Sequence, residues 1–427
     1  MRTTAINILR TLHAHDFTAL FVGGCVRDML MGKAPEDYDI VTDAAPDQIA
    51  ALFKRTLFIG AQFGIVIVVS KGKTFEVAQL RQSSPDTPNR LQADAFHRDF
   101  TINGMFHNPL TDQVYDYVGG QHDIERRVIR AIGNPHDRFL EDKLRMMRAI
   151  RFAISYDYAI DPTTATAIHQ HAGQISDVSV ERIREELLHI LLSPHPDQGI
   201  RWLAATHLLD PILPEVAALK GVSQPPDSHP EGDVFTHTLL MLNQLRTRSP
   251  ELAMAVLLHD IGKPPTYTQT DRIRFHRHAQ VGARMAEVIC GRLKFSTKST
   301  EKIVALVQDH LKFFDVPRMK QSTLKRLLRQ DHFPELLELY RLDCLSSDRD
   351  LGIYEFCRRK CEEFRHDSIR PPRLLSGNDL IRLGMTPGPV FKQLLEYLED
   401  AQLEGTISTK REAIDFVKEI QATLSSC

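Results

Sequence analysis

The stretches ALFVGGCVRDML, residues 19–30, and DYDIVT, residues 37–42, decide the fold of the N-terminal part of the chain. In the first stretch an apolar run is followed by two glycines and a helical pattern, and in the second stretch two acids lead into a β-branched run. Further strand-like runs, GIVIVV and TFEVAQL, follow before about Gly120. Beyond Val128 helical periodicity prevails, as in ERIREELLHILL at residues 181–192. The sequence therefore predicts an α/β N-terminal region and an all-α remainder.

Length and composition limit the class of protein. A chain of 427 residues predicts about two to four domains. Hydrophobic residues make up 42% and charged residues 25%, which excludes a wholly disordered chain and a membrane-embedded one. Lys and Arg number 53 against 55 acidic residues, so a polyanion would have to meet a local basic patch. Six scattered cysteines exclude a disulfide framework, and neither a signal peptide nor a membrane span is expected. We therefore expect a cytoplasmic protein with no membrane partner.

Gly23 and Gly24 stand between the first predicted strand and the helix that follows it. Glycines at such a turn let backbone N–H groups approach a polyphosphate, and the guanidinium of Arg27 adds charge-assisted donors for phosphate oxygens. A tight turn that simply requires glycine would give the same pattern. The turn therefore indicates a nucleotide site only in combination with other residues.

Asp37 and Asp39 are two residues apart at the next strand, so their carboxylates are expected on the same face. A divalent cation relieves the repulsion within such a pair, and paired carboxylates suit two-metal phosphoryl transfer. Glu76, in the strand-like run from Thr74 to Ala78, is the candidate for a third catalytic carboxylate. The alternative is a solvated turn with exposed acids.

The glycine turn and the paired acids together resemble the nucleotidyltransferases of the polymerase β type, specifically the class II group of CCA-adding tRNA nucleotidyltransferases and poly(A) polymerases. The block HRDFTING at residues 97–104 looks like the family's Arg-Arg-Asp-Phe-Thr-Ile-Asn-Ala, with His97 replacing its first arginine and Gly104 its alanine. The resemblance implies a polymerase β-like head in which Arg98 contacts the nucleotide. It covers nearly the whole chain and implies a head at residues 1–125, a helical neck at 126–215, an HD-type helical body at 216–350 and a helical tail at 351–427.

The block EDKLR at residues 141–145, continued to Arg151, resembles the base-reading segment of the family. Asp142, Arg145, Arg148 and Arg151 recur at every third position, so on a single helix they form a slowly drifting stripe. Cytosine and adenine both present an amino donor beside a ring-nitrogen acceptor, so the Asp142 carboxylate and the Arg145 guanidinium can pair with either base. Uracil and guanine should be rejected. A salt-bridged surface helix is the alternative to this nucleotide-binding set.

A second group of residues resembles the HD phosphohydrolase superfamily. It centres on His259-Asp260, which Gly262-Lys263-Pro264 follows closely. An adjacent His and Asp can bind one metal ion together with a distant histidine and a distant aspartate, and the ion activates water toward a phosphoester. His278 is preferred to His276 because Gly282-Ala283 follows it. The expected HD site, for a divalent metal of unknown identity, consists of His237, His259, Asp260, His278, His310 and Asp343.

The resemblance implies an enzyme that adds C and A to the 3′ end of tRNA from CTP and ATP, without a nucleic-acid template and with Mg²⁺ held by Asp37 and Asp39. Only sixteen residues separate Arg81 from Arg98, fewer than a CCA-adding enzyme is expected to have, where a flexible loop is implicated in switching from C to A. This leaves open a CC-adding or A-adding specialist or a poly(A) polymerase. A hypothesis of another class is an RNA-binding head joined to an active HD phosphohydrolase. The oligomeric state stays open.

Overall fold

The computed structural model describes the chain except for residues 59–63, 83–86, 88, 226–229, 231, 247–248, 348, 365–370 and 426–427. The chain divides into two compact units, Met1–Pro214 and Glu215–Cys427. This division lies next to the predicted boundary between neck and HD body, and the finer boundaries stay predictions. None of the described helices combines the length and the apolar character that crossing a bilayer requires.

The first unit contains a mixed sheet. Its strands are β1 (Ala19–Val22), β2 (Asp39–Thr42), β3 (Thr56–Phe58), β4 (Ile65–Ser70), β5 (Lys73–Gln79), β6 (Met105–Asn108) and β7 (Gln113–Asp116). The seven strands lie in the order β3-β4-β5-β2-β1-β6-β7. β2 and β5 are parallel, and the other neighbouring strands are antiparallel. The predicted α/β head is therefore confirmed.

β1 lies between two apolar clusters. Its four residues are all buried, and because alternate side chains of a strand face opposite sides, Ala19 and Phe21 join one cluster and Leu20 and Val22 join the other. The first cluster includes residues of α1 (Arg2–His13), α2 (Gly24–Leu30) and α3 (Pro46–Leu52), and the second includes residues of α4 (Arg90–Phe96). Packing on both faces holds the end of β1, and with it the glycine turn, in place.

Helices form the rest of the first unit. They are α5 (Gly120–Arg126), α6 (Pro135–Glu141), α7 (Arg145–Tyr156), α8 (Pro162–His171), α9 (Val180–Leu191), α10 (Pro196–Ala205), α11 (Leu209–Ile212) and α12 (Pro214–Ala217), the last of which runs into the second unit. Two short strands, β8 (Val128–Ile129) and β9 (Ala159–Ile160), pair in parallel. α7 packs against α9 and α10, where Gly199 leaves no room for a side chain beside Ile154 and Ile190.

The described residues of the second unit form helices and one small hairpin of β10 (Tyr267–Gln269) and β11 (Ile273–Phe275). Its helices are α13 (Val234–Gln244), α14 (Pro250–Leu258), α15 (Lys263–Thr266), α16 (His278–Arg292), α17 (Thr297–Asp309), α18 (Gln321–Leu328), α19 (Phe333–Ser346), α20 (Gly352–Glu363), α21 (Gly377–Arg382), α22 (Pro389–Leu403) and α23 (Lys410–Ser425). α14 is buried from Leu252 to Leu258 and contacts α13, α17 and α19. The predicted helical body is confirmed, but the prediction of a remainder without strands is wrong for β8 to β11. Strands of two or three residues are too short to produce a recognisable alternation.

Candidate active site

The glycine turn directly follows β1, where Gly23 has a φ of +73° and Gly24 begins α2. This backbone conformation is accessible to glycine at little cost and strained for other residues. A Cβ built on Gly23 would lie 3.3 Å from Nη1 of Arg98 and 4.0 Å from Oδ2 of Asp39. The absent side chain therefore lets a cation and a carboxylate approach the backbone at the turn.

The predicted carboxylates lie on adjacent strands. Asp39 begins β2, and the parallel register that pairs Ile40 with Val77 places Asp39 beside Glu76 of β5. Burial raises the pKa of Asp39 to about 6, the negative charges of Glu76 and Asp37 add to the rise, and Arg98 opposes it. Asp37 and Glu76 are exposed. A half-buried carboxylate with acidic neighbours suits a hard divalent cation, which prefers oxygen ligands and removes the repulsion.

A cavity of about 450 Å³ opens at the glycine turn. Eight predicted residues line it, namely Gly23, Gly24, Arg27, Asp39, Arg98, Asp142, Arg145 and Arg148. Three further lining residues, Asp99, Asn103 and Phe152, were assigned no role from the sequence. Asp99 and Asn103 belong to the same block as Arg98, and Phe152 follows Arg151, so their positions in these motifs were the available signal. Asp37, Glu76 and Arg151 are outside the lining.

Arg27 is buried and held in one orientation. Its Nη1 donates to Oδ1 of Asn103 at 2.7 Å, and its Nε donates to Oδ1 of Asp28 at 2.9 Å. Its guanidinium carbon lies 4.6 Å from the ring centroid of Tyr156, within cation–π range. The Arg27 charge at the cavity is therefore preorganised.

Asp142 lies between two helices, so the prediction of one continuous helix through Asp142 and the three arginines is wrong. α6 ends at Glu141, and Asp142 has extended backbone angles, φ −147° and ψ 102°. Its Oδ1 accepts the backbone N–H of Leu144 at 3.1 Å, a local bond that competes with helix continuation. Only Arg145, Arg148 and Arg151 lie on α7.

The side chains of Asp142 and Arg145 bond to other neighbours, and the backbone N–H of Arg145 donates to the carbonyl oxygen of Asp142 at 3.1 Å. Asp142 accepts from Nη2 of Arg182 at 2.8 Å. Arg145 donates to Glu141 at 2.9 Å and to the carbonyl oxygen of His97 at 3.0 Å. Asp142 and Arg145 nevertheless line one cavity, so both face the space that a base would enter.

The two remaining arginines differ in position. Arg148 donates to Oδ2 of Asp99 at 2.6 Å inside the cavity. Arg151 donates to Oε2 of Glu186 on α9 at 2.6 Å. Arg148 therefore lies in the cavity, whereas Arg151 joins α7 to α9.

All six predicted HD residues come together in the second unit. His259 and Asp260 follow α14, His278 begins α16, His310 follows α17, and His237 and Asp343 lie on α13 and α19. The described residues contain two groups with ligand atoms within 4.8 Å of one another, His237 with His259 and Asp260, and Asp260 with His278 and His310. Oδ1 of Asp343 lies 3.2 Å from Nε2 of His237. His276 is exposed and belongs to neither group.

The ionisation of the HD cluster favours metal ligands. Burial lowers the pKa of His278 and lowers that of His310 to about 3, so these two imidazoles are neutral at physiological pH. Burial alone would raise the pKa of Asp260, but the interactions with His259 and the positive charge of Lys263 outweigh it and hold the pKa well below the usual range. Neutral imidazoles and an ionised carboxylate are the ligand forms that divalent metals require.

The sequence matches three families in chain order. They are described as "Poly A polymerase head domain" at residues 19–130, "Probable RNA and SrmB- binding site of polymerase A" at 157–220 and "HD domain" at 234–347. An A-adding tRNA nucleotidyltransferase of Deinococcus radiodurans is 33% identical, over 94% of this chain and 95% of that relative. A CCA-adding enzyme of Bacillus pumilus is 39% identical, over 49% of this chain and 55% of that relative. The crystal structure of the Bacillus stearothermophilus CCA-adding enzyme with CTP has a TM-score of 0.76 at 27% identity and covers 99% of this chain and 98% of that one.

The head sheet with its glycine turn, followed by an HD cluster on helices, defines a nucleotidyltransferase joined to an HD domain. The chain belongs to the family of tRNA nucleotidyltransferases and poly(A) polymerases. It is therefore an enzyme, as the sequence predicted.

Proposed function

We propose that this enzyme adds C and A to the 3′ end of tRNA from CTP and ATP, without a nucleic-acid template. The observation that carries the proposal is the single cavity where the glycine turn, the Asp39 carboxylate, the cations Arg27 and Arg98 and the pair Asp142 and Arg145 meet. It offers groups for a triphosphate and groups for a base. The solved relative with CTP supports the choice of substrate.

Asp39 and Asp37 would hold Mg²⁺, the ion whose preference for carboxylate oxygens fits this pair. Bound Mg²⁺ supplies positive charge that activates the tRNA 3′-hydroxyl and neutralises the triphosphate. The hydroxyl oxygen bonds to the α-phosphorus as the bond to pyrophosphate breaks. Gly23 lets the triphosphate approach the backbone, and the preorganised Arg27 and Arg98 orient its oxygens.

Asp142 and Arg145 read the base. The amino group of cytosine or adenine donates to the Asp142 carboxylate, and a ring nitrogen accepts from Arg145. The contacts of Arg182 with Asp142 and of Glu141 with Arg145 hold both side chains at the cavity before a base arrives. Asp142→Asn replaces an acceptor-only group with one that also donates. We expect it to slow CTP and ATP addition by about tenfold or more and to reduce rejection of UTP and GTP.

Extension of a tRNA that lacks its 3′ terminus tests the proposal. Purified protein is incubated with Mg²⁺ and with CTP alone, ATP alone, or both. We expect two residues with CTP alone and a complete CCA end with both nucleotides. The matched variant Asp39→Asn should give no extension. No extension by the parent protein would contradict the proposal.

A second candidate is a specialist that adds only A or only CC, because an A-adding and a CC-adding enzyme are both among the relatives matched over more than nine-tenths of this chain. The short segment between Arg81 and Arg98 also favours a specialist, although residues 83–86 and 88 lie outside the described residues. The same assay distinguishes the candidates. An A-adding enzyme would extend a tRNA ending in CC and leave one lacking both cytidines unchanged, a CC-adding enzyme would stop after CTP, and a poly(A) polymerase would add a long tail from ATP.

We further propose that the HD cluster binds divalent metal and hydrolyses a phosphoester as a second activity in the cytoplasm. The convergence of four histidines and two aspartates supports this proposal. Phosphate release from a phosphoester by the parent protein, lost in His259→Ala, would support it. Hydrolysis without any nucleotide addition would instead favour the RNA-binding head of the other hypothesis.

A further inference from the structure

Arg27 is a buried cation whose orientation depends on more than its hydrogen bonds. It is 7% exposed and lines the nucleotide cavity. Its Nη1 donates to Asn103 at 2.7 Å, and its Nε donates to Asp28 at 2.9 Å. A planar group held by two partners can still rotate about the line that joins them. A third contact is therefore needed to fix the guanidinium at the cavity.

The third contact comes from two stacked rings of α7. The guanidinium carbon of Arg27 lies 4.6 Å from the ring centroid of Tyr156 and 5.5 Å from that of Phe152. The two ring centroids are 6.2 Å apart, and the ring planes are 17° apart. Phe152 in turn meets the fully buried ring of Phe100 edge to face at 5.7 Å. This row of rings fixes Tyr156, and Tyr156 supports Arg27.

The contact between Tyr156 and Arg27 is electrostatic. The face of an aromatic ring carries partial negative charge and attracts a cation, and the attraction is stronger when the cation is shielded from water. Of the two hydrogen-bond partners above, only Asp28 is charged. Burial raises the pKa of the Tyr156 hydroxyl, so the ring acts as a neutral aromatic face and not as a phenolate. The ring therefore supplies negative potential that the buried cation requires.

The guanidinium of Arg27 is accessible from the glycine turn. A Cβ built on Gly24 would lie 3.4 Å from Nη2 and 3.8 Å from Nη1 of Arg27. Because glycine has no Cβ, this space beside both terminal nitrogens is free for an anionic group. The rings and the glycine turn together leave Arg27 fixed and still available to phosphate oxygens.

α7 connects Arg27 with the base-reading residues. The helix begins with Arg145 and ends with Tyr156. Arg145 and Arg27 both line the cavity, whereas Tyr156 is outside the lining. Twelve residues of hydrogen-bonded helix form one stiff element. The position of Arg27 is therefore tied to the helix that carries Arg145.

We propose that Tyr156 is a positioning residue for the triphosphate, whose ring face holds Arg27 in the orientation that receives phosphate oxygens. The inference rests on the proposed nucleotide addition and adds to it a residue that acts through Arg27 without touching the substrate. Loss of the ring should weaken binding of a nucleoside triphosphate far more than binding of the monophosphate with the same base. A ring that only stabilised the fold would affect both ligands alike.

Equilibrium binding of CTP and of CMP, in Mg²⁺ and without tRNA, tests this proposal. We expect Tyr156→Leu to weaken CTP binding about tenfold and CMP binding less than about twofold. Tyr156→Phe keeps the ring and should restore CTP affinity to within about twofold of the parent. In an Arg27→Met background Tyr156→Leu should cost less than about twofold more, because the ring acts through that arginine. The matched control Tyr158→Ala removes a ring 6.0 Å from that of Tyr156 and should leave both affinities unchanged.

A second series of variants does not depend on removing the ring. Phenylalanine carrying one, two or three fluorine atoms at position 156 keeps the shape of the ring while fluorine withdraws electron density from its face. CTP affinity should fall stepwise with the number of fluorine atoms, and CMP affinity should stay constant.

Three results would overturn the assignment of Tyr156. They are equal weakening of CTP and CMP binding by Tyr156→Leu, CTP affinity that is independent of fluorine number, and an undiminished effect of Tyr156→Leu in the Arg27→Met background. If the parent still extended tRNA, the proposed function would stand without this inference. A parent that neither bound CTP nor extended tRNA would overturn both.

Discussion

Asp39 is the residue at which folding and function conflict. Its carboxylate is partly buried beside Glu76 and Asp37, and burial with these charges raises its pKa to about 6. A folded-state pKa above the ordinary value of 3.8 means that the charged form disfavours folding. The resulting loss of unfolding free energy is absent below about pH 4 and grows as the pH rises to about 6. Above that pH it is fully present.

Asp39→Asn should therefore stabilise the metal-free protein at pH 7.5, by about 1–2 kcal/mol once solvent screening is allowed for. Chemical denaturation in EDTA at pH 7.5 and pH 4.5 measures the effect, which should shrink at the lower pH. Mg²⁺ should reduce the difference by stabilising the parent only. Asp37→Asn removes the same charge at an exposed position and should stabilise less. Equal or lower stability of Asp39→Asn at pH 7.5 would contradict the electrostatic argument.

Gly23 combines a left-handed backbone with a crowded site, and Gly32 provides a matched control. Both have positive φ, +73° and +70°, but a Cβ on Gly32 would meet no atom within 4 Å. Either alanine variant should lose about 1 kcal/mol of unfolding free energy from backbone strain. Only Gly23→Ala should also slow nucleotide addition, by about 10- to 100-fold, because the methyl group displaces Arg98 or the triphosphate. Initial rates of tRNA extension test this explanation. An equal decrease of the rate in Gly23→Ala and Gly32→Ala would contradict it.

At the scale of elements, motif identity was predictable but the geometry between elements was not. The glycine turn and the Asp39 strand follow from local patterns, because apolar runs and glycines determine local backbone structure. The helix break at Asp142 depends on a side-chain bond to Leu144 and on Arg182 of α9, a partner forty residues away. Gly104 likewise depends on tertiary packing, since a Cβ there would lie 2.8 Å from Val118 and 2.9 Å from Ile132. Periodicity contains no information about such partners.

The contact between α7 and the block before β6 rests on Arg148 and Asp99. Burial alone would raise the pKa of Asp99, but the guanidinium of Arg148 outweighs it and lowers the pKa. A lowered pKa contributes stability above about pH 4, and this contribution is lost as the pH falls through the lowered value. Arg148→Met should cost about 3 kcal/mol at pH 7.5 because it leaves a buried carboxylate without its cation.

A double-mutant cycle with Asp99→Asn checks this pair by chemical denaturation. The double variant should recover much of the lost stability, and the penalty of Arg148→Met should shrink as Asp99 becomes protonated at lower pH. Addition by the stable double variant should stay slow, since both positions line the cavity. Arg130→Met, which removes an ion pair with Asp123 outside the cavity, should lower stability without slowing addition by the folded protein. Additive effects of Arg148→Met and Asp99→Asn would refute the coupling.

At the scale of the whole molecule, the two compact units offer different kinds of candidate metal ligands. The first unit offers carboxylate oxygens at Asp37 and Asp39, which suit Mg²⁺, whereas the second offers imidazole nitrogens, which suit transition metals. The six HD residues could be named from the sequence because their blocks, centred on the adjacent pair His259-Asp260, resemble those of the HD superfamily. The division of these residues into two groups could not be predicted from the sequence. It depends on which oxygen of Asp260 each histidine faces.

Ligands of the two units should therefore protect different amides from hydrogen exchange. Mg²⁺ with CTP should slow exchange around the glycine turn and α7, and Co²⁺ should slow it around the end of α14 and the start of α16, because a ligand stabilises the structure that binds it. Mass spectrometry of peptic fragments separates the two responses. Asp39→Asn should abolish only the first and His259→Ala only the second. If either variant abolished both responses, metal binding in one unit would depend on the other, and the separate assignment of Mg²⁺ and transition-metal sites would fail.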